Sequence, residues 1–476
     1  MVVGSLTVEC DVVVIGSGPG GYIAAIRAAQ FGKDVIVIEK EKKVGGVCLN
    51  KGCIPTKAII TSSNYYNILS QLEHMGISAK DVNVDIDKMR EWKDNIVSKL
   101  ELGIRGLFKK YGIELIQGNA SFKTKHELNV FGQSDVNTIK FKNAIIATGS
   151  LPIKIPNVEF DNNKIITSDE VFKLENIPKK IVIIGGGYIG TEMGTVYGKL
   201  GSEVHILEGG SRLISILDSE IVEVMAKEIS KFNVTSHFNS LAKSAKIQGD
   251  KVVIEYSEHG SDQTIECDKL LVVVGRKPNS GDLNLDKVGI ELTPKGFINV
   301  DTQMRTNLEH IYAIGDVVPG PMLAHKATRE AKIAAENACG ENSFMTNKVI
   351  PSVVYNDPEI ASVGLTKDEA EDKGYEVICE KFPYSALGRA QMFEKTSGFV
   401  KIIADKKTKL ILGVHMVGPH VSENIAEATL AIEMSATLDD VANIIHPHPT
   451  VSEGIGEASE LALGKSVNIY REPKHD

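Results

Sequence analysis

Two cysteines with four residues between them, Cys48 and Cys53, lie in the stretch GGVCLNKGCIPTKAII, residues 45–60. Such a pair can bind a metal, staple the chain or store electrons. Structural zinc takes four ligands, usually from paired CxxC-type knuckles, and here one pair stands without a neighbouring His or Cys cluster. A staple across so short a loop would restrict the unfolded chain little. The other four cysteines, Cys10, Cys267, Cys339 and Cys379, are scattered and read as small buried apolar residues. That usage fits a reducing compartment, where a disulfide is usually catalytic or redox-sensing. Lys57 follows Cys53 by one helical turn.

A second group able to do chemistry lies near the C-terminus, in NIIHPHPTVSEGIGEA: His446, His448 and Glu453. Histidine moves protons near neutral pH, and a carboxylate beside it orients the ring and stabilises its charged form. From the residues alone, two histidines beside prolines are more often ordinary loop residues.

The elements that must position these groups are visible in a repeated pattern. CDVVVIGSGPGGYIAAIRAAQFGKDVIVIEK reads strand, glycine turn, helix, strand, with Gly16, Gly18 and Gly21 in the turn and Glu39 closing the second strand. KKIVIIGGGYIGTEMGTVYGKLGSEVHILEGG repeats it with Gly185, Gly187, Gly190 and Glu208. From first glycine to acid the separation is 23 residues in both copies. One glycine permits the turn, one lets backbone approach a pyrophosphate, and one lets the helix pack on the strand; the helix N-terminus attracts the phosphate charge. A single GxGxxG is weak evidence, whereas two copies with the acid at one offset indicate two dinucleotide sites. Glu208 would repel a 2′-phosphate and so favours NAD over NADP, although Arg212 lies nearby. Two dinucleotides on one chain suggest a nicotinamide paired with a flavin. Asp316, after the apolar strand IYAIG, sits where ligands gather in such sheets.

The 476 residues are too many for one core and imply two to four domains. The net charge of −9 argues against non-specific nucleic-acid binding. No stretch reaches the length of a membrane-spanning helix. The N-terminal run MVVGSLTVECDVVVIG leads straight into a glycine loop and reads as a first strand, not a signal peptide.

Ten segments now carry a resemblance. GSGPGGY, GGVCLNKGCIPTKA, AIIATGS (144–150), IVIIGGGYIG and VVVGRKPN (272–279) are followed in order by IYAIGDV, LAHKA (323–327), PSVVYNDPEIASVG (351–364), ILGVHMVGPH (411–420) and HPHPTVSEGIGEA (446–458). Together they resemble the pyridine nucleotide–disulfide oxidoreductases over nearly the whole chain. The resemblance implies an α/β fold with two Rossmann-like domains and an α+β dimerisation domain. It implies an FAD-binding domain over 1–150, with a helical insertion at about 61–112, and an NAD-binding domain over 151–280. A central domain over 281–350 would complete the FAD site, and an interface domain would span 351–476. FAD would meet Gly16, Gly18, Gly21, Glu39, Lys57, Thr148, Gly149, Asp316 and Ala324. NAD would meet Gly185, Gly187, Tyr188, Gly190, Glu208, Gly275 and Arg276.

The resemblance also implies that Cys48 and Cys53 form a redox-active disulfide, with Cys48 exchanging with substrate and Cys53 nearer the flavin. Lys57 would pair with Glu192, and His448 with Glu453, serving the cysteines of the other subunit of a homodimer; His446 would be structural. The implied reaction oxidises dihydrolipoyl groups on lipoyl-bearing proteins of 2-oxoacid dehydrogenase or glycine cleavage systems, in the cytoplasm, with no bound metal. Another disulfide substrate is the alternative. The tail VNIYREPKHD lacks the vicinal cysteines of mercuric reductases, and Glu208 speaks against an NADPH-linked glutathione-type enzyme. A non-catalytic scaffold would have no reason to keep the relay.

Helix geometry adds one expectation. Residues five apart in a regular α-helix have Cα atoms roughly 8.6 Å apart, and a disulfide usually needs about 4.4–6.8 Å. If Cys48 and Cys53 bond, LNKG is not plain helix. Asn50 and Gly52 would supply an irregular turn, with a helix starting near Cys53-Ile54-Pro55.

Overall fold

Strands buried on both faces read as unbroken apolar runs, and CDVVVIG, KKIVIIG and KLLVVVG are such runs. In the computed structural model, which describes residues 6–69, 71–132 and 136–470, each becomes a parallel strand. Leu6–Ile15 lies between Val35–Glu39 and Val136–Ile146, with Val12 opposite Val35 and Ile15 opposite Ile146. Glu114–Gln117 extends one edge, and the antiparallel strands Glu127–Phe131 and Asn119–Thr124 extend the other. After passing through a second sheet, the chain returns and lays Ile311–Ala313 parallel to Ala144–Ile146, completing seven strands. Val12, Val13 and Val14 have no exposure at all, and each such side chain contributes about 1.5–3 kcal/mol of transfer free energy.

The second sheet has five parallel strands in the order Val234–His237, Glu203–Leu207, Lys180–Ile184, Lys269–Val272, Ile165–Ile166. An antiparallel meander over 240–267 packs beside it. The two crossings between the first and second sheets run side by side, because Ser150–Pro152 pairs antiparallel with Arg276–Pro278. A third, antiparallel sheet holds Ser352–Val354, Glu359–Gly364, Ile411–Gly418, Phe399–Asp405 and Val377–Pro383. Helices Val421–Glu433 and Glu453–Ala462 cover it.

The stretch 61–112 is mainly two helices. The first, Cys53–Leu69, begins at the second cysteine, so no element boundary falls at 61. The second, Ile86–Lys110, starts where the Asp85 carboxylate accepts the Lys88 amide, an N-cap of the usual kind. Among the described residues no helix is long and apolar enough to cross a membrane. The first five residues of the N-terminal run, and the last six of the tail VNIYREPKHD, lie outside the described residues.

Candidate active site

The two glycine turns are built alike. Gly16 and Gly185 hold φ of 98° and 109°, a region that disfavours side chains. A Cβ on either would also lie 2.5 Å from a carbonyl of the neighbouring strand end, Ala147 or Val273. Gly21 and Gly190 do not line the cleft. They lie under the turns, where a Cβ would fall 1.9 Å from the Gly16 or Gly185 carbonyl oxygen. Helices Pro19–Gln30 and Tyr188–Lys199 can therefore start flush against their turns.

Each acid braces its own turn. Glu39 Oε2 accepts from Ser17 N and Oγ at 2.9 and 2.5 Å, and Oε1 accepts from Glu41 N. Glu208 accepts from Gly186 N at 2.6 Å and Gly210 N at 2.7 Å. Arg212 turns away from this acid. Its guanidinium donates to the Leu217 and Ser215 carbonyls at 2.8 and 2.6 Å, so it is engaged by its own loop and Glu208 remains the charge presented there.

Both turns open onto one cleft of about 2050 Å³. Gly18, Gly187, Tyr188, Glu39, Glu208, Thr148, Gly149, Gly275, Arg276, Asp316 and Ala324 line it with Cys48, Cys53, Lys57 and Glu192. Ser150 organises one wall: its hydroxyl donates to Asp316 Oδ2 at 2.7 Å and accepts from Arg276 Nε at 2.7 Å. The turn before Asp316 is held by a buried ion pair, Lys326–Glu330 at 2.9 Å, which clasps the Gly315 N–H and carbonyl. Two glycine cradles, a carboxylate after each second strand and a continuous cleft fit two dinucleotides.

Cys48 and Cys53 come together, but not by the turn expected. Gly46–Lys51 is helical through Asn50, whose amide donates to the Val44 and Gly46 carbonyls. The irregularity is confined to Gly52, at φ −139° and ψ −112°, and the next helix starts at Cys53. One broken residue changes the course of the chain enough to bring the two cysteines to one part of the cleft, where each perturbs the other's titration. Both are free thiols. Cys53 is exposed to the cleft, although protein crowds its sulfur from most other directions.

The pair is electrically unequal. The hydrogen bond from Cys48 lowers the Cys53 pKa; burial opposes this, and the Lys57 ammonium adds to it, bringing Cys53 to about 7. The same hydrogen bond, followed by burial and the Cys53 charge, pushes Cys48 up. The inequality favours Cys53 as the thiolate and Cys48 as the proton donor. Below pH 7 Cys53 takes up its proton, and above it the thiolate persists. Alkylation of the reduced protein by iodoacetamide, followed by peptide mass spectrometry, is therefore expected to label Cys53 with a midpoint near pH 7, against about 8.5 for an ordinary thiol. Cys48 is expected to lag at every pH; preferential labelling of Cys48 would reverse the assignment.

Lys57 Nζ lies 2.9 Å from both oxygens of the buried Glu192 carboxylate. It also lies 4.5 Å from the centre of the Tyr355 ring, a cation–π contact. The Tyr355 N–H donates to Glu192 Oε1 at 2.9 Å. Tyr188 opens the helix that carries Glu192; burial raises its phenol pKa, partly offset by a hydrogen bond with Ser352. Tyr355 was not singled out from the sequence, where PSVVYNDPEIASVG read as interface. Nothing in that segment's pattern marks a residue that acts through its backbone N–H and ring face. Ser17 and Ser150 are likewise invisible as site residues until the turns are folded. Lys51, between the cysteines, reaches Asp169, just beyond the edge strand Ile165–Ile166 of the second sheet, at 3.2 Å.

His448 and Glu453 are paired, Nδ1 to Oε1 at 2.8 Å, and Glu453 Oε2 accepts the Thr450 N–H. Neither residue lines the cleft. The His448 side chain is 77 % exposed. His446 differs: its ring is 11 % exposed and bound to Glu427 at 2.8 Å, a hydrogen bond that raises its pKa. Among the described residues no cluster of three or more His, Cys, Asp or Glu could hold a metal.

Comparison with known proteins gives matches over nearly the whole chain. Residues 10–331 match the family described as pyridine nucleotide-disulphide oxidoreductase, and residues 350–459 match its dimerisation domain. A dihydrolipoyl dehydrogenase of Geobacillus stearothermophilus is 45% identical over 98% of this chain and 99% of its own. One from Bacillus subtilis is 44% identical over 99% and 100%. Among solved structures, LpdA from Mycobacterium tuberculosis superposes with a TM-score of 0.88 at 25% identity, over 95% of this chain and 99% of that one. The HOCl-induced flavoprotein disulfide reductase RclA from Escherichia coli gives 0.85 at 26% over the same shares.

Proposed function

The chain belongs to the pyridine nucleotide-disulphide oxidoreductases, and we propose that within that family it oxidises protein-bound dihydrolipoyl groups and reduces NAD. The observation that carries this reading is the unequal thiol pair in the same cleft as two glycine turns, with Lys57–Glu192 beside it. Gly16, Gly18, Glu39, Lys57, Thr148, Gly149, Asp316 and Ala324 would hold FAD, with Gly21 supporting the turn. Gly185, Gly187, Tyr188, Glu208, Gly275 and Arg276 would hold NAD, with Gly190 in the supporting place. FAD, when bound, would supply two-electron acceptor chemistry between the cysteine pair and NAD.

The chain's own residues do the thiol chemistry. His448 takes a proton from one substrate thiol, and Glu453 holds the ring and stabilises its charge. The substrate thiolate attacks Cys48 of the oxidised pair; the sulfur–sulfur bond breaks and Cys53 leaves as thiolate. The second substrate thiol closes onto the first, releasing Cys48 and cyclic disulfide. Cys48 keeps one proton and the other departs through His448. Lys57, held by Glu192, keeps a positive charge beside the Cys53 thiolate.

Because His448 lies outside its own chain's cleft, it serves the cysteines of a second copy, and the working unit is a homodimer. Exposed Ile445, Met434 and Leu430, at 96 %, 72 % and 62 %, support a partner surface there. On this reading 1–150 and 281–350 serve FAD, 151–280 serves NAD and 351–476 forms the interface. The partners are lipoyl-bearing proteins of 2-oxoacid dehydrogenase or glycine cleavage systems, and the reducing cytoplasm fits the cysteine usage.

Anaerobic titration of the yellow protein with dihydrolipoamide, then NAD, tests the proposal. A long-wavelength absorbance band is expected to appear with the dithiol and to vanish as NADH forms. Reduction by NADH but not by dihydrolipoamide would exclude this substrate and leave the fold and cysteine pair standing.

A further inference from the structure

The Lys57–Glu192–Tyr355 cluster has a second tier beneath it. Seven residues beyond Lys57, on the same helix, stands Asn64; seven beyond Glu192 stands Lys199; two beyond Tyr355 stands Asp357. Seven residues is about 10.5 Å and nearly two full turns, so each helical pair shares a face. The second tier is joined as tightly as the first. Lys199 Nζ donates to Asn64 Oδ1 at 2.6 Å and to Asp357 Oδ2 at 2.5 Å. Lys395 binds both Asp357 oxygens at 2.6 Å. The Lys199 ammonium also lies 4.7 Å from the Phe232 ring centre, and its side chain is 1 % exposed.

We propose that Lys199, Asp357 and Asn64 are positioning residues that fix the rotational register of three elements and thereby hold Lys57 and Glu192 against the Cys53 thiolate. The two helices already share an apolar core that includes Ile59, Ile60, Met193 and Val196; a polar contact two turns from Lys57–Glu192 adds a directional restraint that apolar packing, which is non-directional, does not supply. Burying a lysine this completely is not the cheapest way to fill space, since apolar side chains of similar volume are often as stabilising or more so. Specifying register is the best-supported reason to retain such a charge. The tier touches neither the glycine turns nor the cysteines, and it acts only through the tier above.

The inference rests on the proposed thiol chemistry, but its test does not need the substrate. The FAD-bound protein, reduced with a phosphine, is alkylated across pH, and the Cys53 midpoint is read for Lys199→Met, Asp357→Asn and, as a control, Lys401→Met. Lys401 is also a buried lysine, its side chain 6 % exposed, paired with Asp218 and Glu220 away from the cleft. Lys199→Met and Asp357→Asn are expected to raise the Cys53 midpoint by about half a pH unit or more and to slow turnover about tenfold. Lys401→Met is expected to leave both unchanged. A folded Lys199→Met or Asp357→Asn protein with an unmoved midpoint would overturn the proposal. So would an equal shift in Lys401→Met, which would indicate general loosening. If Lys199→Met does not fold, Asp357→Asn decides; if neither retains FAD, the tier is a folding element and the proposal falls. A failed dihydrolipoamide titration leaves this alkylation result readable.

Discussion

Cys48→Ser is expected to end dihydrolipoamide turnover, by on the order of 10⁴-fold or more, while the protein stays yellow. Serine fits the space of Cys48, which lies in a helix bounded by Gly46 and Lys51, and no contact with the glycine turns depends on its sulfur. The oxygen cannot accept a substrate thiolate or form the exchangeable bond, so electrons have no way in from the dithiol side. Cys53→Ser should be as severe for a different reason. It removes the leaving group whose pKa has been lowered to about 7, and good leaving thiolates make exchange fast. The check is steady-state turnover with dihydrolipoamide beside the visible spectrum of the bound flavin. A Cys48→Ser protein that kept full turnover would remove the cysteine pair from the mechanism; a colourless one would assign Cys48 to cofactor retention.

His448→Gln carries the second large effect, a loss of roughly 10²–10⁴-fold in dihydrolipoamide oxidation, the range for removing a general acid–base group. Glutamine preserves a hydrogen bond to Glu453, which holds His448 Nδ1 at 2.8 Å, but cannot shuttle the proton. Oxidation of NADH by an artificial dye bypasses the thiol step and should change little. The ratio of the two rates is the measurement. Equal slowing of both would place the defect in folding or assembly. The exposed ring of His448 contrasts with His446, buried against Glu427. His446→Gln should therefore cost stability more than it changes that ratio.

The parts of this site that repeat or break a local rule were legible in the sequence. The glycine turns announce themselves because a strand-to-helix turn over phosphate admits no side chain at Gly16 or Gly185. The cysteine pair could be placed at a helix start, since Pro55 and Gly52 constrain the chain there. The position of the break was misjudged by local reasoning. Asn50 and Gly52 looked equally able to disrupt a helix, and the carbonyls of Val44 and Gly46 that satisfy the Asn50 amide exist only once Gly45 and Gly46 have turned. Asn64, Lys199 and Asp357 carried no signal at all. Each is a polar residue of a kind that usually faces water, and their common layer arises from three segments far apart in sequence. Pairing of Ile311–Ala313 with Ala144–Ile146 is likewise a tertiary fact, suggested only by the resemblance.

The placement of His448, paired to Glu453 yet outside the cleft of its own chain, has a genetic consequence. On the proposed arrangement each reaction centre is assembled from two copies of the chain, cysteines from one and the proton carrier from the other. A chain lacking Cys48 still lends a sound His448, and a chain lacking His448 still lends sound cysteines. Two alleles, each null alone, would then complement when co-expressed, because a mixed dimer contains one whole centre and one doubly broken one. Either allele beside the wild type would poison only one of the two centres in each mixed pair. The unit on which a mutation at this site is scored is the dimer, not the chain that carries it.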